Sequence, residues 1–203
     1  MAKLREVLKG MSRKEQLDYI WEYYKLHIIG FILLIIFGWL MIDGFMNKGN
    51  EPVGITVVSE ATIEVIDELE LSINSLEFTD FDLFFEHIYH QGGLIENNAY
   101  DMMERLSMRI AVGQVDIMVT DDLFAEQLIN EDIFLPLKEV IEPDQIDSFE
   151  EEGLVVNGVL YGIKTADLKI FDQYDVYQDT YLLVPASGRH REEAKQVIEY
   201  LTE

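Results

Sequence analysis

The 203-residue chain contains no cysteine, which excludes disulfides, thiol chemistry and a cysteine-borne lipid anchor. Basic residues are also scarce, since 15 Lys and Arg face 39 Asp and Glu for a formal net charge of −24. A negative charge of this size argues against partners such as nucleic acid or an anionic membrane surface. If the chain has an exported domain, the lack of cysteine fits a Gram-positive cell surface better than a eukaryotic secreted protein.

Charge is absent altogether from residues 26–42, which contain no Asp, Glu, Lys or Arg. A helix rises about 1.5 Å per residue, so this run spans ~25 Å, just enough for the core of a bilayer. A buried core helix or a removed signal peptide could carry such a run, but no small-residue cleavage pattern follows it. We therefore predict an uncleaved transmembrane helix at 26–46, with the lipid bilayer as its partner.

The charge on either side of this run predicts its orientation. Residues 1–25 carry six basic and four acidic side chains, a net of +2, whereas 51–203 carry eight basic and 34 acidic ones, a net of −26. The positive-inside rule then places the N-terminus in the cytoplasm and the C-terminal domain outside the cell. The predicted localisation is the cell membrane, crossed once.

Residues 1–25 read as a cytoplasmic amphipathic juxtamembrane segment. Ser12 and Glu15 have the spacing of a capping box, which predicts a helix start. An apolar face at i, i+3, i+4 and i+7 follows, formed by Leu17, Ile20, Trp21 and Tyr24. We expect this helix to continue straight into the membrane span.

A short polar linker at 47–52 leads to a predicted extracellular domain at 53–203, in which strand and helix signals alternate. Strands are predicted at 53–58, 115–120 and 181–185, and a strand or strand pair is predicted at 76–85. Helices are predicted at 61–71, from Asn97 or Asn98 to 112, from a Thr120 or Asp121 cap to 128, and at 191–201. Asn157-Gly158 between two apolar runs predicts a hairpin with a type I′ turn. The fold class is therefore α/β, a mostly parallel sheet with flanking helices and an attached hairpin, preceded by one transmembrane helix.

Four motifs in the second half of the chain resemble segments of bacterial extracellular solute-binding proteins. They are RIAVGQVDIMVTDDLF at 109–124, EDIFLPL at 131–137, NGVLYGI at 157–163 and HREEAKQVIEYL at 190–201. The chain thus resembles a periplasmic-binding-protein-like ectodomain of type 2, reduced in size, on an uncleaved N-terminal anchor. It departs from that family by having room for only one compact lobe and by carrying Lys164 where a proline follows Gly-Ile.

The resemblance implies a non-catalytic extracellular binding or interaction module, accessory to a transporter or a sensor. Its partners would be a membrane protein complex or an extracellular peptide or protein. The alternative is a cell-surface enzyme, a hydrolase that uses acidic residues. A cleft with convergent titratable groups would favour the enzyme, and an exposed apolar patch would favour the interaction module.

Ligands of open α/β sheets collect at the carboxyl ends of the strands, which predicts the binding residues. Ser59 ends the first strand, and Thr120 and Asp121 end the strand at 115–120. Tyr161, on the hairpin, matches an aromatic position of the resembled family. The helix that starts at Asp121 favours an anion or polar group through its backbone N–H groups, although the acidic side chains there partly offset this.

His87 and His90 form an H-x-x-H pair that could hold zinc together with Glu86 if the segment were helical. The surrounding aromatic residues indicate a strand or a loop instead, in which the two imidazoles would diverge. We therefore predict neither a metal site nor a cofactor, and no catalytic residue.

Protease added outside intact protoplasts should digest 51–203 and spare the first 45 residues, because the charge asymmetry keeps only the N-terminus inside. A C-terminal epitope tag reports the outcome on an immunoblot. Survival of that tag in intact protoplasts, with loss only after lysis, would reverse the predicted orientation.

Overall fold

The computed structural model describes residues 12–46, 51–91, 93–146, 149 and 152–202. The first 11 residues of the predicted cytoplasmic segment and residues 47–50 of the predicted linker lie outside the described residues. The chain forms two compact units that divide between Gly49 and Asn50.

Within the described residues 12–46, the N-terminal unit forms one continuous helix, α1 (Arg13–Met46). Its start is the predicted capping box: the Ser12 N–H donates to Glu15 Oε2 at 2.8 Å, and the Glu15 N–H donates to Ser12 Oγ at 3.4 Å. The window Tyr24–Met41 has a mean hydropathy of 2.0 and is long and apolar enough to cross a membrane. α1 has 34 residues, about 51 Å of helix, and is longer than the ~30 Å core of a bilayer.

The second unit is built on a six-stranded sheet with the order β2-β1-β3-β6-β5-β4. The strands are β1 (Val53–Ser59), β2 (Leu83–Tyr89), β3 (Ile117–Asp121), β4 (Leu154–Val156), β5 (Val159–Lys164) and β6 (Thr180–Leu183). β1 pairs in parallel with both β2 and β3, whereas β6, β5 and β4 continue the sheet in antiparallel fashion. The predicted α/β class, with parallel strands at the centre and an attached hairpin, is confirmed.

Helices flank this sheet. They are α2 (Ile63–Asn74), α3 (Tyr100–Ala111), α4 (Asp122–Asn130), the short α5 (Pro143–Ile146) and α6 (Arg191–Thr202). The β4–β5 hairpin turns at Asn157 and Gly158, whose φ angles of +53° and +77° are those of the predicted type I′ turn. The predicted Asp121 cap is also confirmed, because its side chain accepts a hydrogen bond from the Phe124 N–H at 3.0 Å.

Two local predictions are wrong. The strand expected at 76–85 begins only at Leu83, because Phe78 and Phe81 stack on each other at 4.7 Å between ring centroids and pack on the core from an irregular segment. Neither Asn97 nor Asn98 caps α3, whose N-cap is Ala99. The Asn98 amide instead bonds the Leu94 carbonyl and the His90 ring.

The core lies on both faces of the sheet. Every residue of β1 is buried, as expected for a central parallel strand covered on both sides. Side chains alternate between the faces, so that Ile117 and Val119 belong to one core cluster and Met118 belongs to the other. The first cluster includes side chains of α2 and α6, and the second includes side chains of α3 and α4.

Asp116 holds three segments together at the amino end of β3. It is only 2% exposed. Its Oδ2 accepts from the Gly54 N–H at 2.9 Å, and its Oδ1 accepts from the N–H groups of Arg189 and His190 at 2.8 and 2.9 Å. His190 Nδ1 also lies 3.0 Å from Oδ2. This carboxylate therefore joins β1, β3 and the start of α6, which is a structural role.

Asp116→Asn should lower the free energy of unfolding by about 2–4 kcal/mol, because the amide nitrogen would face N–H donors that then lack an acceptor. Urea unfolding followed by circular dichroism measures the change. The exposed Asp172→Asn serves as the matched control and should change stability by less than about 0.5 kcal/mol. Full stability of Asp116→Asn, together with loss of a binding activity, would make Asp116 a functional residue instead.

Candidate functional site

A cleft of about 280 Å³ opens where β1 and β3 end and β6 begins. The side chains that line it come from these strand ends and from the loop before β6: Val58, Ser59, Glu60, His90, Asp121, Asp175, Val176, Asp179 and Thr180. It therefore lies at the carboxyl edge of the parallel strands, where open α/β sheets place their ligands.

The cleft is acidic. Glu60, Asp121, Asp175 and Asp179 supply four carboxylates to its lining, and no Lys or Arg among the described residues lines it. Asp121 also fills the start of α4 through its bond to the Phe124 N–H. A carboxylate thus occupies the helix start that was expected to favour an anion, and the potential of the cleft favours a positively charged group.

His90 forms the buried wall of the cleft, with 1% exposure. The Asn98 amide is oriented by the backbone, because Nδ2 donates to the Leu94 carbonyl at 3.0 Å and Oδ1 accepts from the Gln91 N–H at 3.4 Å. Nδ2 must then also donate to His90 Nε2, 2.9 Å away. The proton of the neutral ring is consequently on Nδ1, which faces Asp121 Oδ2 at 3.5 Å.

The environment of His90 keeps the ring neutral. Burial lowers the pKa of His90, while the charges of Asp121 and Glu60 act in the opposite direction. The ring also makes an edge contact with Phe124 at 4.4 Å between centroids. At neutral pH His90 therefore contributes shape and a directed N–H, and it does not cancel the negative charge of the cleft.

Ser59 has a histidine neighbour, but the hydrogen bonds do not make that histidine a base. His87 Nε2 lies 3.1 Å from both the carbonyl oxygen and Oγ of Ser59. Because a carbonyl oxygen can only accept, Nε2 carries the proton and donates to both atoms. Ser59 Oγ in turn donates to the Tyr177 hydroxyl at 3.5 Å. Burial lowers the pKa of His87 as well.

The structure brings together two of the four sequence-predicted site residues. Ser59 and Asp121 both line the cleft. Thr120, which precedes Asp121, is fully buried, and its Oγ1 has no hydrogen-bond partner among the described residues. Tyr161 lies outside the cleft. Thr120 of β3 and Lys164 of β5 both pair with Tyr181 of β6, so they lie at the same height in the sheet. Tyr161 precedes Lys164 by three residues and therefore lies ~10 Å from that height, toward the amino end of β5.

The sequence analysis did not identify the other side chains of the cleft lining, which are Val58, Glu60, His90 and those of the loop before β6. Hydrogen bonds of two threonines hold the loop before β6 in place. Thr165 Oγ1 donates to the Tyr177 carbonyl at 2.6 Å and lies 2.6 Å from Thr180 Oγ1. No local motif marks this arrangement. His87 and His90 have different partners, and within the described ranges no three His, Cys, Asp or Glu side chains are arranged to hold a metal ion.

Stability should fall as the pH is lowered from 7.5 to 6.0. Both histidines have a folded-state pKa below the ordinary 6.5, so the unfolded chain binds protons first and gains free energy from doing so. Thermal unfolding across this range, in which carboxylates do not titrate, measures the effect. His90→Gln should show a smaller pH dependence. Stability that is flat or that rises on acidification would contradict the assigned ring states.

Comparison with known proteins gives similarities of structure only, since the sequence matches no protein-family model and no curated protein. The chain is similar over 57% of its length to a solved extracellular solute-binding protein of family 1 from Alicyclobacillus acidocaldarius, at 20% identity and a TM-score of 0.33. Over 56% it is similar to an ABC substrate-binding protein from Listeria monocytogenes in complex with cycloalternan, at 16% identity and a TM-score of 0.34. It spans only 28% of each of those chains.

Proposed function

We propose that this protein is a membrane-anchored, extracellular binding module that holds a positively charged group in the acidic cleft. The observation that carries the proposal is the convergence of four carboxylates on one cleft at the carboxyl edge of the sheet, with no Lys or Arg among the described residues that line it. The ligand would be an amine or guanidinium, either free or on a side chain of an extracellular peptide or protein.

The size of the cleft indicates that its ligand is a small chemical group. Its volume of about 280 Å³ lies just below the ~300–1,000 Å³ of pockets that enclose drug-sized ligands. A lysine or arginine side chain fits such a space, and the rest of a peptide would remain outside it.

The proposed role is non-catalytic, and the hydrogen bonds around Ser59 support this. A serine nucleophile needs a base that accepts its proton, whereas His87 donates to Ser59 and His90 Nε2 is taken by Asn98. The alternative, a surface hydrolase using acidic residues, would need one of the cleft carboxylates to act as a base or a nucleophile. Hydrolysis of a basic peptide on incubation with the purified protein would favour that alternative.

Membrane anchoring belongs to the same proposal. The apolar window Tyr24–Met41 of α1 and the charge asymmetry of the sequence support a retained anchor with the acidic domain outside. A tethered binding domain would serve a neighbouring membrane protein, such as a transporter or a sensor, by presenting its ligand there.

Binding can be measured by isothermal titration of the full chain in nanodiscs with three tripeptides of matched size, Gly-Lys-Gly, Gly-Gln-Gly and Gly-Glu-Gly. Gly-Lys-Gly should bind at least tenfold more tightly than the other two. The double variant Asp121→Asn, Asp175→Asn should weaken its binding about fivefold to tenfold, because two attractive charges are lost while asparagine still caps α4.

The control is Asp172→Asn, which removes one exposed carboxylate outside the cleft lining and should leave the affinity within twofold. Equal binding of the three peptides, or a preference for Gly-Glu-Gly, would contradict the proposed ligand class. An equal effect of Asp172→Asn would show that the net charge, and not the cleft, attracts the peptide.

A further inference from the structure

A second concave surface lies between α3 and α4, and its walls are apolar. The α3 wall presents Met103, Leu106 and Ile110, which follow one another at i, i+3 and i+7 on one face of the helix. Leu128 of α4 and Ile133 just beyond it form the facing wall. We call this surface, of about 260 Å³, the α3–α4 groove.

The walls of the α3–α4 groove are continuous with the hydrophobic core. Leu106, Ile110 and Leu128 are 1%, 7% and 5% exposed and belong to one core cluster. An exposed tyrosine extends the same stripe, since Tyr100 precedes Met103 by three residues and is 80% exposed. From Tyr100 to Ala111 the stripe is about 16 Å long, or three helical turns.

The rim of the α3–α4 groove is acidic where α4 ends. Glu131 and Asp132 line the groove and are exposed. The structure assigns neither of them an ion pair within the described residues. A partner that buries apolar side chains in this groove therefore meets two negative charges at one end, and a basic side chain at that point would be favoured.

We propose that the α3–α4 groove docks an amphipathic helix of a protein partner, with apolar side chains at i, i+3, i+4 and i+7 and a Lys or Arg beside Glu131 and Asp132. A helix suits the site because the groove lies between two helices and is lined at helical spacing, so that ridges of the partner fit into it. The volume accommodates two or three apolar side chains, not a whole drug-sized ligand.

The charge of the groove rim also favours a basic helix over a second copy of this chain. A second copy of this chain would bring a domain whose residues 51–203 carry eight basic and 34 acidic side chains, so like charges would meet at the rim. A basic amphipathic helix has the opposite sign. This surface shares no lining residue with the acidic cleft, and the proposal is independent of the ligand proposed there.

The test uses the full chain in phosphatidylcholine nanodiscs and a labelled 14-residue peptide of leucine and lysine with the helical spacing above. Fluorescence anisotropy gives its affinity, and empty nanodiscs give its binding to lipid, which is subtracted. The double variant Ser107→Lys, Glu131→Lys places two charges at exposed groove positions and should weaken binding at least tenfold.

Two controls make the result specific. Glu126→Lys makes the same charge change on α4 outside the groove lining and should leave the affinity within twofold. A peptide of the same composition in scrambled order should bind at least tenfold more weakly than the patterned one.

Four outcomes would overturn the proposal: no binding of the patterned peptide above the lipid blank, equal binding of the scrambled peptide, equal weakening by Glu126→Lys, or undiminished binding to the double variant. Self-association of the chain that the double variant abolishes would assign the groove to a second copy instead.

Discussion

A single buried carboxylate, that of Asp116, sets the arrangement on which the rest of the domain depends. Its two oxygens are met by three backbone N–H groups and one imidazole nitrogen, which offset the cost of burying the charge. It joins the amino ends of β1 and β3, and the close approach requires glycine at 54, where a Cβ would lie 2.0 Å from the Gln114 carbonyl oxygen. With these strands in register, Ser59 and Asp121 arrive side by side at the far edge of the sheet.

The same sheet supports two surfaces of opposite character. The cleft is lined by carboxylates that follow the ends of β1 and β3 or belong to the loop before β6. Such charged groups lie at strand ends because Asp and Glu are rarely buried in a core without a partner. The α3–α4 groove lies between two helices and is lined by side chains of the core itself. A polar cleft confers selectivity for charge, and an apolar groove contributes binding energy, so the pair suits a module that recognises a ligand and docks on a neighbour.

Features encoded by neighbouring residues were predictable from the sequence. The Asn157-Gly158 hairpin, the Ser12 capping box and the Asp121 cap each depend on a few consecutive residues, and the structure has all three. Features that depend on residues distant in sequence could not be predicted in this way. Asp121 was identified, but its neighbours Asp175 and Asp179 are more than 50 residues away, and their loop is positioned by the Thr165–Thr180 contact. Tyr161 was placed by family resemblance, and strand register puts it away from the cleft.

The central claim, that the cleft at the carboxyl edge binds a positively charged group, is tested most directly by nitrogen NMR of the histidine rings. With ¹⁵N-histidine in the full chain, Gly-Lys-Gly should shift the ring nitrogens of His90, whose Nδ1 faces Asp121. His190, bonded to Asp116 at the opposite edge of the sheet, should remain unchanged and serves as the internal reference. Shifts at His190 without shifts at His90, or equal shifts with Gly-Glu-Gly, would contradict the account.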